Sequence, residues 1–192
     1  MNITVFLGST FGSKKQYASD AERIGTWIGE HHHTLIYGGA SVGTMGILSS
    51  AAKEAGAYVI GIMPQFLVDR GVANNDGLDE QIVVENMDER KKLLIGKADV
   101  LVTLPGGPGT LEELAEAVSA KKLGTFKGDV LIYNPDGFYN SLRRQYQHMA
   151  REGFFPVESM EMIRFCDSLD ELLKQLNKML LNIAGCSSML KV

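Results

Sequence analysis

The chain has 192 residues, 45% of them hydrophobic, and a formal net charge of −4 at pH 7. That length suits one domain with a full core, and a negative balance offers no overall attraction to nucleic acid or to an anionic membrane. No apolar run approaches the ~20 residues of a membrane span. The start MNITVFLGST lacks a basic n-region and a long apolar stretch, so no secretory leader is expected. Cys166 and Cys186 are the two cysteines, without metal-type spacing, which points to a reducing, cytoplasmic setting.

Residues 3–7 read as a first strand, and the following turn, residues 8–13, lacks the G-x-G-x-x-G dinucleotide fingerprint. Ser9, at the strand end, can hydrogen-bond a ligand or serve as a plain turn residue. Residues 14–30 form an amphipathic helix, with Tyr17, Ala21, Ile24, Trp27 and Ile28 on one side. His31, His32 and His33 follow. Consecutive residues of an extended segment alternate faces, which makes a poor chelate, so the sequence predicts a solvated link and no metal.

Residues 34–37 are a second strand, and the glycine cluster from Gly38 to Gly46 opens a helix through Lys53. Without G-K-[ST] this is not a Walker A loop, which excludes ATP hydrolysis by that route. Tight strand–helix packing is the plain alternative for these glycines. Residues 57–62 read as a third strand and residues 63–81 as a long loop, of the kind that is often functional. Residues 82–84 are a short strand. Asn86 caps the next helix with Glu89 as its N3 partner. Arg90 and Lys91, one turn in, oppose the helix dipole, which favours a bound anion nearby.

The chain is organised around residues 99–122. Residues 100–104 are an apolar strand, and Leu111, Leu114, Ala115 and Val118 recur at helical spacing. Between them lies Pro105-Gly106-Gly107-Pro108-Gly109-Thr110. Strand, glycine-rich turn and helix N-terminus form an anion site, because free backbone N–H groups and the helix dipole aim at one spot. A phosphate ester fits best. Thr110 and Glu113 also fit a T-x-x-E capping box. The alternative is that Glu113, which would repel a phosphate, faces another part of the ligand.

Residues 130–133 form a strand, 138–151 a helix and 162–165 a last strand; residues 167–171 cap a final helix to about Ile183. Strands alternating with helices predict a three-layer, Rossmann-like α/β fold: an open, mainly parallel sheet with helices on both faces, and the site at its carboxyl edge. Residues 1–184 make a single nucleotide-binding domain, and residues 185–192 a tail.

Residues 105–113 match the PGGxGTxxE motif of the LOG ("Lonely Guy") phosphoribohydrolases, often mislabelled lysine decarboxylases. Residues 37–46 resemble the family's second glycine motif, and Met87-Asp88-Glu89-Arg90-Lys91 its M-x-x-R-K element. The resemblance covers roughly residues 3–180. It implies hydrolysis of the N-glycosidic bond of a nucleoside 5′-monophosphate, AMP or a cytokinin riboside 5′-monophosphate, without cofactor or metal. It further implies a homodimer, with the helices after the glycine motifs across the interface. Arg90 and Glu113 would be catalytic. Gly38, Gly39, Met87, Lys91, Gly106, Gly107, Pro108, Gly109, Thr110, Leu111, Glu112 and Ser119 would bind substrate, with Lys91 adding charge to the phosphate cradle. The chain departs from the family at Ala40 and Thr44. It does so again at Ala120 and Lys121, where Trp and Gln are usual. A non-catalytic carrier of a nucleotide or of molybdenum cofactor is the alternative that the same resemblance allows.

Overall fold

The computed structural model describes residues 1–73 and 77–189, with residues 181–189 as helical backbone. The strands are β1 (Asn2–Phe6), β2 (Thr34–Tyr37), β3 (Tyr58–Pro64), β4 (Glu80–Val84), β5 (Val100–Thr103), β6 (Asp129–Tyr133) and β7 (Ile163–Cys166). They form one parallel sheet in the order β4-β3-β2-β1-β5-β6-β7. The helices are α1 (Lys15–Glu30), α2 (Gly43–Glu54), α3 (Gln65–Val68), α4 (Met87–Gly96), α5 (Pro108–Lys122), α6 (Asn140–Arg151) and α7 (Leu169–Met189).

The apolar runs lack alternation because both sheet faces are covered. Leu35 and Ile36 are neighbours in β2, both fully buried, yet they belong to opposite cores. Each contributes about 1.5–3 kcal/mol by leaving water. Leu35 joins Ile24, Leu48 and Leu172, from α1, α2 and α7. Ile36 joins Leu94, Leu114 and Tyr146, from α4, α5 and α6. These are the three layers expected.

The chain moves outward from β1 through β2, β3 and β4, then returns to place β5 on the other side of β1. That reversal opens a crevice at the carboxyl end of β1, where ligands bind in this architecture. Two hydroxyls fasten the crevice. Thr44 Oγ1 donates to the Gly8 carbonyl at 2.9 Å, and Thr110 Oγ1 to the Leu7 carbonyl at 3.0 Å. The first turns of α2 and α5 are thereby tied to one strand end.

Local departures from the sequence expectations have local causes. The helix α2 begins at Gly43, because residues 38–42 stay non-helical and Ala40 pairs with Ala73 in an antiparallel bridge. The Ser41 N–H donates to the Val72 carbonyl at 3.3 Å. The expected loop over residues 63–81 therefore folds back on the second glycine turn and contains α3. The strand after it starts early, at Glu80. Asn74, Asn75 and Asp76 of that segment, and tail residues 190–192, lie outside the described residues. A 3-10 turn at Pro135–Gly137, with Asp136 at φ 50°, delays α6 to Asn140. The expected cap of α7 forms: the Glu171 N–H donates to Ser168 Oγ at 3.2 Å, and the Asp167 N–H to the Glu171 carboxylate at 2.9 Å. Its backbone stays helical to Met189, past the expected end.

His31 and His32 are exposed in the turn that links α1 to β2, as expected, whereas His33 is not solvated. His31 stacks on Trp27 with ring centroids 4.3 Å apart, and His33 is buried. Burial, more than the N-terminal ammonium beside it, pushes His33 down to about 4. Among the described residues no group of His, Cys, Asp and Glu could hold a metal ion, and no helix is long and apolar enough to cross a membrane.

Candidate active site

A cavity of about 570 Å³ opens at the crevice, within the range of small-molecule sites. One side is glycine-rich backbone, Gly107 to Gly109, with Thr110. The other is an apolar wall that includes Met45, Met63, Leu67 and Val72. Among the described residues, Arg90 and Glu113 are the charged ones that line it, and both are buried.

The Arg90 guanidinium is held in three directions. Its Nε donates to the Ile62 carbonyl at 3.0 Å and its Nη2 to the Gly38 carbonyl at 3.4 Å, while Nη1 lies 3.4 Å from Glu113 Oε1. A planar fork suits such a set, where an ammonium would not. Glu113 has Arg90 as its close cation, yet burial outweighs that attraction and pushes its carboxyl up to about 7. A carboxyl poised near neutrality in a cavity is suited to proton transfer.

The helix α5 starts at Pro108 with Gly107 as N-cap, and no side chain caps it. Thr110 is therefore the third helical residue and Glu113 the sixth, so the T-x-x-E pair does not form a capping box. Thr110 turns to Leu7, and Glu113 turns into the cavity. The first N–H groups of the helix are left for a ligand. By contrast α4, whose Asn86 Oδ1 accepts from the Glu89 N–H at 2.9 Å, is capped by a side chain. Glu113 lies five residues beyond Pro108, about 7 Å along the axis. An anion site and a carboxyl thus share one helix.

A family model described as possible lysine decarboxylase matches residues 45–176. The chain is 36% identical over 176 residues to the cytokinin riboside 5′-monophosphate phosphoribohydrolase LOG7 of Arabidopsis thaliana, covering 92% of this chain and 81% of that one. A probable phosphoribohydrolase of the same description, LOG4 of Oryza sativa subsp. japonica, is 35% identical over 92% of this chain and 76% of its own length. The chain belongs to the LOG family. Among solved structures, a molybdenum cofactor carrier protein from Chlamydomonas reinhardtii is similar, with a TM-score of 0.71 and 23% identity over 94% of this chain and 98% of that one. A molybdenum cofactor binding protein from Rippkaea orientalis has a TM-score of 0.70 and 23% identity, covering 93% and 96%. At that identity the likeness speaks for the fold.

Of the LOG motif residues, Gly38, Arg90, Gly107, Pro108, Gly109, Thr110 and Glu113 line the cavity. Gly106 lines a smaller neighbouring pocket of about 160 Å³, which shares Gly107. Gly39, at φ 78°, serves the turn, and Met87 lies outside the lining with its sulfur 3.9 Å from Arg90 Nη1. Leu111, Glu112 and Ser119 are exposed and line neither pocket. Ser119 sits three turns along α5, about 16 Å from Pro108. Lys91 also lies outside the lining, with Nζ 2.8 Å from Glu112 and 3.0 Å from Glu116. The departures at Ala120 and Lys121 are as remote: Lys121 Nζ donates to the Lys127 and Gly128 carbonyls at the far end of α5. Ala40 does line the cavity.

Met45 of the apolar wall lies in the second glycine motif, whereas the rest of the wall escaped sequence reading apart from its host segment. Met63, Leu67 and Val72 carry no motif, and the length of the 63–81 connection was the available signal.

Proposed function

We propose that this protein hydrolyses the N-glycosidic bond of a purine nucleoside 5′-monophosphate, AMP or a cytokinin riboside 5′-monophosphate, to free base and ribose 5-phosphate. The observation that carries this is the shared helix. The uncapped N-terminus of α5 anchors the phosphate, and Glu113 stands one and a half turns further on. A ribose spans that separation between its 5′-phosphate and C1′.

The C1′–N9 bond breaks through an oxocarbenium-like transition state, as in glycoside hydrolysis. The Glu113 carboxylate stabilises the cation and takes a proton from the water that attacks C1′. The leaving base takes up a proton from solvent as it departs, and Glu113 afterwards releases the proton it took from water, so that C1′ gains the hydroxyl and the base the hydrogen. Arg90 orients Glu113 and the ribose. The apolar wall of Met45, Leu67 and Val72 receives the base. Activity rises as pH passes about 7, where Glu113 ionises. Decarboxylation of lysine finds no support here. That chemistry calls for a carbonyl cofactor held through a lysine, and no lysine lines the cavity among the described residues.

The reading includes a cytoplasmic homodimer. Exposed Leu123, Phe154 and Val157 are candidates for its interface, and free Cys166 agrees with a reducing compartment. Light scattering is expected to give twice the 21.0 kDa chain mass. The deciding assay is chromatographic detection of free base from AMP and from isopentenyladenosine 5′-monophosphate. Tight binding of both without product, after long incubation, would establish a carrier instead.

A further inference from the structure

We propose that Lys91 is a positioning residue: its ammonium, held between Glu112 and Glu116, clamps α4 to α5 beside the contact between Arg90 and Glu113. The proposal rests on the hydrolase reading above for its kinetic consequence, and on geometry alone for its structural one.

Arg90 and Lys91 are consecutive on α4, and Glu112 and Glu113 are consecutive on α5. Neighbours on a helix point about 100° apart. One residue of each pair, Arg90 and Glu113, turns into the cavity, and the other turns to the seam between the helices. Along that seam Glu112 and Glu116 are one turn apart on one face. The Lys91 Nζ reaches both, at 2.8 and 3.0 Å, and Asp88 at 3.6 Å. Two of its N–H donors serve Glu112 and Glu116, and the more distant Asp88 adds charge alone.

Lys91 is unsuited to bind a substrate phosphate. Its side chain is 10% exposed, it lies outside the cavity lining, and a phosphate placed on it would meet the three carboxylates around it. The hydrogen bond to Glu112, then that to Glu116, hold its pKa above the ordinary lysine value.

The charged groups around Glu113 are Arg90 and Lys91 on α4, and Glu112 on its own helix, with Glu116 beyond. The other residues lining the cavity, among those described, carry no charge. Lys91 favours the ionised carboxyl directly, and by neutralising Glu112 it removes a repulsion. Without Lys91, the seam loosens and Glu113 is harder to ionise.

The test uses Lys91→Met, which keeps the stem and removes the ammonium. On an active monophosphate, kcat is expected to fall about tenfold, with KM changed less than about twofold. The acid limb of the pH–rate profile moves up by about one pH unit, and Lys91→Arg restores it. Glu112→Gln moves the limb the opposite way, which keeps the idea testable should Lys91→Met not fold. A second readout needs no turnover: the pH at which the thermal-midpoint gain of Glu113→Gln levels off shifts upward in the Lys91→Met background. A tenfold rise in KM with kcat unchanged would make Lys91 a phosphate ligand and overturn the proposal. So would unmoved profiles in both measurements. Absence of base release by the wild-type protein would instead overturn the hydrolase reading, and the thermal titration would still decide Lys91.

Discussion

Gly38 and Arg90 share one space. A Cβ built on Gly38 would overlap Arg90 Nη2, the nitrogen that donates to the Gly38 carbonyl. Glycine at that strand end is what admits the guanidinium to the cavity. The obstruction is the far end of a long side chain, so Gly38→Ala is expected to push Arg90 aside and leave the backbone in place. Displacing a positioned group by about 1 Å can cost a hundredfold. Gly38→Ala should therefore lose most of kcat/KM while its thermal midpoint stays within a few degrees of wild type. Paired kinetics and calorimetry check this; a normal rate would mean that Arg90 is not needed where it stands.

Glu113→Gln separates charge from fold. The folded-state value of Glu113 lies above its reference of 4.5, at about 7. Stability is accordingly complete below pH 4.5 and is lost as pH rises through 7, where the buried carboxyl must ionise. At 1.36 kcal/mol per unit, the loss above pH 7 is about 3 kcal/mol. Glutamine imitates the neutral carboxyl, so the variant should melt roughly 5 °C or more above wild type at pH 8, and close to it at pH 4.5. Its kcat should fall roughly a hundredfold or more, with phosphate affinity unchanged or improved. Melting curves across pH, read beside kcat and KM, would expose a merely structural role through an unaltered kcat.

Arg90→Lys keeps the charge and loses the fork. An ammonium cannot serve the Ile62 and Gly38 carbonyls and Glu113 from three directions at once. Turnover is expected to drop at least tenfold and substrate binding to weaken, with Arg90→Ala worse in both. Steady-state kinetics on one monophosphate, with the thermal midpoint as control, make the comparison; equal kcat in Arg90→Lys and wild type would reduce Arg90 to a simple point charge.

Thr110→Val distinguishes hydroxyl from backbone at the phosphate cradle. The hydroxyl proton already goes to the Leu7 carbonyl at 3.0 Å, in a buried place. Valine has a similar volume but strands that carbonyl, at a cost of about 1–3 kcal/mol. The phosphate is held by the N–H groups of the first helical turn, which the substitution preserves. Lower stability in denaturant with KM within about twofold is the expected result. A large rise in KM at unchanged stability would assign the hydroxyl to the substrate instead.

Arg90 and Glu113, 23 positions apart, are both legible as candidates, each set by its neighbours: a cation one turn into a helix, a carboxylate just past a glycine turn. Strand and helix positions were legible for a similar reason, since burial on both faces demands uninterrupted apolar runs and each run is a local property. The sequence by itself determined the alternation of strand and helix, the parallel sheet it implies and the glycine turns at one edge. Tertiary structure alone decided what each polar group faces. Whether Thr110 caps a helix or ties it to β1 depends on a carbonyl 103 positions away. Whether Lys91 meets a phosphate or a seam of carboxylates depends on how α4 lies against α5. Part of the apolar wall, Leu67 and Val72, comes from a segment that pairs back on Ala40 through Ala73, 33 positions away. Such choices follow from contacts between distant segments, and neither periodicity nor propensity carries information about them.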